Sequence, residues 1–339
     1  MNIITILMAI LGFGIIVFIH ELGHFLFAKK AGVKIHEFSI GMGPKIYSFT
    51  KGETKYSIRI LPLGGYVAME GEDESSHDPR SFGNKSILQR ASILFAGPFF
   101  NILLAVVILI GIYTYQGIPT TTLKDITIGS VAQKAGIKPG DTITEINGKE
   151  IKTWTELSRT IQNSKGNELN ITIERDGKES KVEVTPELKD GSYLIGIYPK
   201  NKKNIFTAFT TAIKVTIAML LQIILFFVKL VTGNLPGGLG NSVAGPIGVI
   251  SIVADATKVG IISVLNLAAV ISLNLGVLNL LPIPALDGGR LFFLLIEFLR
   301  GGKKIDPEKE GMVNFIGFAA LMVLMIFVTY KDIVRLIGM

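Results

Sequence analysis

Five apolar stretches, roughly 3–28, 91–115, 205–230, 262–286 and 312–330, constrain this chain more than any other feature. A helix needs about 20 apolar residues to cross about 30 Å of hydrocarbon. On length alone all five suffice. Composition agrees: 49% of residues are hydrophobic, 18% are charged, and mean hydropathy is +0.49. That balance points to a membrane protein. A length of 339 residues leaves room for one membrane body and one small soluble domain. The net charge of +7 would suggest nucleic acid as a partner of a soluble protein. Here the basic residues crowd beside apolar runs, which fits orientation in a bilayer and argues against nucleic acid. The chain has no cysteine. Disulfides, thiolate zinc sites and a cysteine nucleophile are excluded together, so any metal must use His, Asp, Glu or water. The first stretch lacks a basic start and a small-residue cleavage site, and reads as a retained membrane helix rather than a signal peptide.

Charge decides how many stretches cross. The 29–90 connection carries Lys29, Lys30, Lys34, Lys45, Lys51, Lys55, Arg59, Arg80, Lys85 and Arg90, and the 290–309 stretch carries Arg290, Arg300, Lys303, Lys304 and Lys309. The positive-inside rule puts both in the cytoplasm. Residues 116–204 then lie outside, and an odd number of crossings must follow before 290. Within 205–230, Thr207, Thr210, Thr211, Lys214, Gln222 and Lys229 fall on one helical face. That pattern predicts an amphipathic helix lying on the membrane. The 262–286 run has no charge and is read as the span. The expectation is four spans with both termini outside.

The organisation that follows is a membrane core over 1–115, an extracytoplasmic α+β domain over 116–200, and a second membrane part over 201–339. In the middle part, strands are expected near 142–147, 169–175, 180–185 and 193–198, with a helix over 154–162. Asp176-Gly177 is a hairpin-turn signal between two of those strands. The stretch 35–70 also reads as strands, with turns at 41–44, 51–53 and 64–65, and is apolar enough to dip toward the bilayer.

His20-Glu21-Leu22-Gly23-His24 is an HExxH motif. Residues four apart share a helix face, so both imidazoles can reach one ion, with Glu21 beside them to accept a proton from water. A chance match is a fair alternative in a soluble helix. In a membrane segment, ionisable groups cost roughly 2.5–3.5 kcal/mol at the centre, and a metal supplies the compensation. A catalytic zinc site has three protein ligands. His36 and His77 lie in the cytoplasmic connection and read as loop histidines, and the 70–74 acidic run reads as a solvated loop. Asp287 is the better third ligand, in Asn279-Leu-Leu-Pro282-Ile-Pro284-Ala-Leu-Asp287-Gly288-Gly289. Pro282 and Pro284 break the helix, and irregular backbone at membrane depth survives only when packed in protein or lining a wet cavity. Capping of a following helix would explain Asp287, but not Asn279 or the prolines.

HELGH in the first span, together with NLLPIPALDGG in a late one, resembles the site-2 protease family of intramembrane zinc metalloproteases, in its bacterial form with one PDZ domain. Gly97-Pro98-Phe99-Phe100-Asn101, Pro62-Leu63-Gly64-Gly65-Tyr66 and Gly245-Pro246-Ile247-Gly248 extend the resemblance over nearly the whole chain in the right order. The run Ala135-Gly136-Ile137-Lys138-Pro139-Gly140-Asp141 resembles bacterial PDZ domains, with 154–162 and 194–197 as candidate groove walls.

The resemblance implies Zn2+ held by His20, His24 and Asp287, with Glu21 as general base. It implies Asn279, Pro282, Pro284, Gly64, Gly65 and Tyr66 near the substrate. The expected substrates are membrane-spanning proteins such as anti-sigma factors or remnant signal peptides, cut in the bacterial inner membrane near its cytoplasmic face. The PDZ-like domain would bind a peptide or exclude bulky ectodomains. A scaffold with a dead metal site predicts lost ligands, yet all are present. A transporter wants paired broken helices in two related halves, and only one such segment occurs.

Overall fold

The computed structural model describes residues 3–72, 76–234 and 245–337. The chain divides into two compact units, Met1–Leu109 with Ala212–Met339, and Ile110–Thr211.

Five of the helices are long and apolar enough to cross a membrane: Ile6–Lys30, Ile87–Gln116, Ile205–Leu230, Ile261–Leu280 and Lys309–Arg335. They belong to α1 (Ile3–Lys30), α2 (Ile87–Gln116), α5 (Ile205–Val231), α7 (Ile261–Leu280) and α9 (Pro307–Ile337). Two shorter helices, α6 (Pro246–Val259) and α8 (Asp287–Leu299), had no counterpart among the five apolar stretches. The 262–286 stretch is helical only to Leu280. Pro282 and Pro284 lack the N–H that another turn requires, and the chain stays irregular until Asp287 opens α8.

Glycines set how closely the helices cross. A Cβ on Gly23 of α1 would meet Ala96 O at 2.5 Å, and one on Gly276 of α7 would meet Pro98 O at 2.9 Å. The backbone of α2 is therefore in direct contact with α1 and α7 around residues 96–98. Pro98 lies inside α2 and leaves the carbonyl four residues back without its helical donor. Near the start of α2, Arg90 donates to both carboxylate oxygens of Glu297 on α8, at 3.0 and 2.6 Å. Both side chains are buried, and the paired donors match the fork of a carboxylate.

Between α1 and α2 the chain forms β1 (Ile35–Lys51) and β2 (Thr54–Met69), paired antiparallel. Phe38 stands opposite both Val67 and Tyr56, and Ile40 opposite both Gly65 and Ile58. β2 thus lies along both sides of the first half of β1, bending where Gly64 takes φ +91°. Among the described residues, 65–69 pairs on one side only, with 35–40. The far end of the sheet exposes Met42, Ile46, Tyr47, Phe49, Ile60 and Leu61.

The second unit holds a sheet of order β10-β3-β4-β6-β7, with β5 on β4 and a separate β8-β9 hairpin. The strands are β3 (Ile118–Ile126), β4 (Thr142–Ile146), β5 (Lys149–Glu150), β6 (Leu169–Arg175), β7 (Lys178–Val184), β8 (Glu187–Lys189), β9 (Ser192–Leu194) and β10 (Ile197–Lys202). The helices are α3 (Val131–Lys134) and α4 (Trp154–Asn163), the latter capped by Thr153, whose side chain accepts from Glu156 N–H. Leu123, Ile143, Ile146, Leu157, Ile171 and Ile173 fill the core. Asp176 and Gly177 both take positive φ, 51° and 75°, as a tight hairpin turn requires. The single strand expected over 193–198 is broken. Gly196 takes φ +83°, and the residues on either side join different sheets.

Candidate metal centre

His20 and His24 lie one helical turn apart on α1, on its face toward α2, and both are 7% exposed. Asp287 comes from the first turn of α8. His20 Nε2 and His24 Nε2 are 3.2 Å apart, and Asp287 Oδ2 is 3.2 Å from the first and 3.4 Å from the second. A tetrahedral zinc with bonds of about 2.0–2.1 Å spaces its ligand atoms about 3.3 Å apart. The three atoms have that spacing, and among the described residues they form the one group suited to hold a metal.

Hydrogen bonding supports the same reading. His24 Nδ1 lies 2.8 Å from Ile93 O. A carbonyl only accepts, so Nδ1 carries the proton and, in the neutral ring, Nε2 presents a lone pair. Asp287 Oδ2 is buried and makes no hydrogen bond. Lone pairs this close repel unless a cation lies between them, so the donor set fits zinc. Gly97 on α2 leaves room for it, since a Cβ there would overlap the His24 ring at Nε2 and Cε1. Two further glycines hold Asp287 in place. A Cβ on Gly288 would strike the backbone of Leu280 and Leu281, and one on Gly289 the carbonyl of Ile283.

The centre opens into a cavity of about 1250 Å³ lined by His20, Glu21, His24, Asn279 and Asp287, and by Tyr66–Glu72 of the sheet side. Glu21 packs against Gly65, where a Cβ would lie 3.2 Å from Glu21 Cγ. Glu21, Asn279, Tyr66 and the ligands are therefore brought together. Gly64 stands one residue further along, at the bend, against Met42. Pro282 is exposed, and Pro284 packs under Gly317 of α9.

His36 and His77 also line the cavity, but His36 Nε2 is engaged by Glu70 Oε2 at 2.7 Å. Glu70 of the acidic run is partly exposed and hydrogen-bonded on several sides. Hydrogen bonds from Ser76 and His36 hold its carboxyl down to about 2. Glu72 pairs with Arg290, and residues 73–74 of that run lie outside the described residues. The sequence reading missed Asn314 of α9, whose Oδ1 accepts from Ala285 N–H at 3.2 Å. No local pattern marks a hydrogen bond between residues 29 apart in sequence.

Two imidazoles and a carboxylate on apolar helices, open to a cavity beside a sheet edge, form a candidate metal centre in a chain with membrane-length helices. Residues 8–324 match the model of peptidase family M50. Regulator of sigma-W protease RasP of Bacillus subtilis is 35% identical, over 98% of this chain and 99% of its own. Zinc metalloprotease RasP of Geobacillus kaustophilus is 35% identical over 97% of both chains. A protein of Clostridium acetobutylicum with a zinc metalloprotease name is 44% identical over 98% of both. Among solved structures, the PDZ domain of the SdrC-like protein from Listeria monocytogenes aligns at 26% identity with 25% of this chain and 88% of its own, at TM-score 0.21. The chain belongs to peptidase family M50.

Proposed function

We propose that this enzyme hydrolyses peptide bonds within the membrane-spanning segments of single-span proteins, with His20, His24 and Asp287 as metal ligands and Glu21 as general base. It is a zinc metalloendopeptidase of family M50. The carrying observation is the triangle of Nε2, Nε2 and Oδ2 atoms with sides of 3.2, 3.2 and 3.4 Å beside a cavity that also holds Glu21. Bound zinc would supply a Lewis acid for water and for the scissile carbonyl. Glu21 takes one proton from the attacking water as the new C–O bond forms, and returns it to the amide nitrogen as the C–N bond breaks.

A substrate helix hides its amides in internal hydrogen bonds and must unwind before attack. The one-sided strand 65–69 offers backbone donors and acceptors to the unwound segment as an added strand. Gly64 and Gly65 lack side chains that would hold a substrate away, while Tyr66 and Asn279 line its path. Pro282 and Pro284 keep the segment before Asp287 irregular. The sigma-W name of the Bacillus subtilis relative favours an anti-sigma factor among the substrates. We further assign four spans, with α5 lying on the outer membrane surface, the site near the cytoplasmic face of the inner membrane, and the inserted unit outside as a PDZ-like filter or peptide binder.

The test is cleavage of a single-span substrate by the purified enzyme in detergent, beside Glu21→Gln, with bound zinc measured in both. Both proteins are expected to hold about one zinc, and only the wild type is expected to cut. Equal cutting by Glu21→Gln removes Glu21 from its role, and absence of zinc from both removes the metal reading.

A further inference from the structure

The two ligand imidazoles are held differently on their far side. His24 is fixed by a backbone carbonyl, which no side-chain change can remove. His20 Nδ1 faces the side-chain amide of Asn101, whose Nδ2 lies 3.2 Å away. Asn101 is fully buried, and its Oδ1 has no hydrogen-bond partner. A buried amide oxygen without a donor costs about 1–3 kcal/mol. An imidazole bound to metal through Nε2 keeps its proton on Nδ1 and needs an acceptor there. An amide turned over by 180° has the same shape. With Oδ1 toward His20, one contact satisfies both the orphaned oxygen and the Nδ1–H.

Asn101 is itself held in place. Ser272 Oγ of α7 donates to Asn101 O at 2.7 Å. Gly276, one turn on, brings α7 close enough that a Cβ there would lie 3.4 Å from Asn101 Cβ.

Resting on the metal reading above, we propose that Asn101 is a positioning residue for the metal centre, accepting a hydrogen bond from His20 Nδ1 through its side-chain oxygen. It fixes the tautomer and ring angle that aim His20 Nε2 at zinc. The Gly97-to-Asn101 segment thereby has two duties one turn apart: Gly97 clears the space of the imidazoles, and Asn101 orients one of them.

The test measures zinc affinity rather than turnover. The full-length protein in detergent is stripped with a chelator and titrated with zinc against a chromogenic competitor. Asn101→Leu matches the shape without an acceptor and is expected to weaken zinc binding about 10–100-fold, the usual effect of losing such a partner. Asn101→Asp can only accept, and is expected to bind zinc at least as tightly as wild type. Unchanged affinity in Asn101→Leu overturns the proposal. So does a loss in Asn101→Asp, which remains decisive if Asn101→Leu fails to fold. Zinc uptake by the wild type that His20→Ala does not diminish overturns the metal reading and this inference with it. Uptake that His20→Ala abolishes but Asn101→Leu spares overturns the inference alone.

Discussion

Single atoms decide whether the centre can form, and Gly97 is the sharpest instance. Its missing Cβ is the space in which the His24 ring sits, and that ring cannot swing away without losing its bond to Ile93 O. Gly97→Ala should therefore displace a ligand rather than a loose side chain. Overpacking of this kind costs about 1–3 kcal/mol. Taken from the metal site, that is about a five- to 150-fold weaker zinc affinity, and the same chelator titration measures it. A second case lies in the inserted unit. Asp141 is buried and accepts from Arg175 Nε and Nη2 at 2.7 Å each and from Lys138 N–H at 2.8 Å. Burial alone would raise its carboxyl, but the bonds from Arg175 and Lys138 hold it below the ordinary value. A depressed folded-state value means that the stabilisation is complete above the unfolded value of about 3.9 and is lost only as pH falls below it. Arg175→Met removes the partner and leaves burial to dominate. Melting followed against pH should then show a loss of about 2 kcal/mol near neutrality, less than for a fully buried pair because Arg175 is partly exposed, and the gap to wild type should close as pH falls and Asp141 takes up a proton.

At the scale of elements, the short segment between α7 and α8 carries the burden of aiming Asp287. Ala285 there sits at φ +73°, which costs a residue with a Cβ about 1–3 kcal/mol, and its N–H is met by Asn314 of α9. Asn314→Leu leaves that N–H unmatched and frees the segment to relax. The expected result is a lower melting temperature and a smaller rise in melting temperature on adding zinc, since a disordered ligand binds less tightly and so stabilises less. An unchanged rise with zinc would show that Asp287 is aimed by Gly288 and Gly289 alone. The same segment shows what the sequence could and could not reveal. His20, Glu21, His24 and Asp287 were legible because ionisable groups in apolar runs demand a reason. The end of α7 was legible in Pro282 and Pro284. Asn314 and Ser272 were not, since each acts on a residue far away in the chain and looks like any polar side chain on a helix. Strand breaks were equally hidden. Nothing local in 193–198 shows that Gly196 separates two sheets, because that depends on Thr127 N–H donating to Gly196 O. Nor did the apolar count reveal α6, where Asp332 of α9 accepts from Gly248 N–H at 2.7 Å in its first turn. That cap comes from 84 residues away.

For the whole molecule, the open quantity is which side of the membrane each part occupies, and the absence of cysteine makes it directly measurable. Single cysteines can be introduced without a background signal and probed in whole cells with a maleimide that does not cross the inner membrane. Lys178, at the tip of the β6–β7 hairpin, should label in intact cells once the reagent reaches the outer face of that membrane. Lys85 and Lys303, within the two basic connections, should label only after that membrane is opened. These outcomes follow from the positive-inside rule. The α5 helix then discriminates between topologies. Its mean hydropathy of 2.2 equals that of α1 and α7, yet six of its polar residues, Thr207, Thr210, Thr211, Lys214, Gln222 and Lys229, share one face. A helix lying on the outer surface exposes that face along its whole length. Cysteines at Thr207, Lys214 and Lys229 should then all label from outside. A crossing helix would place Thr207 and Lys229 on opposite sides, about 33 Å apart along the axis at 1.5 Å per residue. It would also reverse the side on which the basic 290–309 stretch must lie, unless α7 failed to cross. Labelling of Lys229→Cys from outside, with Lys303→Cys protected, would fix an odd number of crossings between them. With α7 as that crossing, Asp287 lies just beyond its inner end, where water reaches it from the cytoplasm. Protection of Lys229→Cys in intact cells would reject the surface helix and, with it, the four-span arrangement.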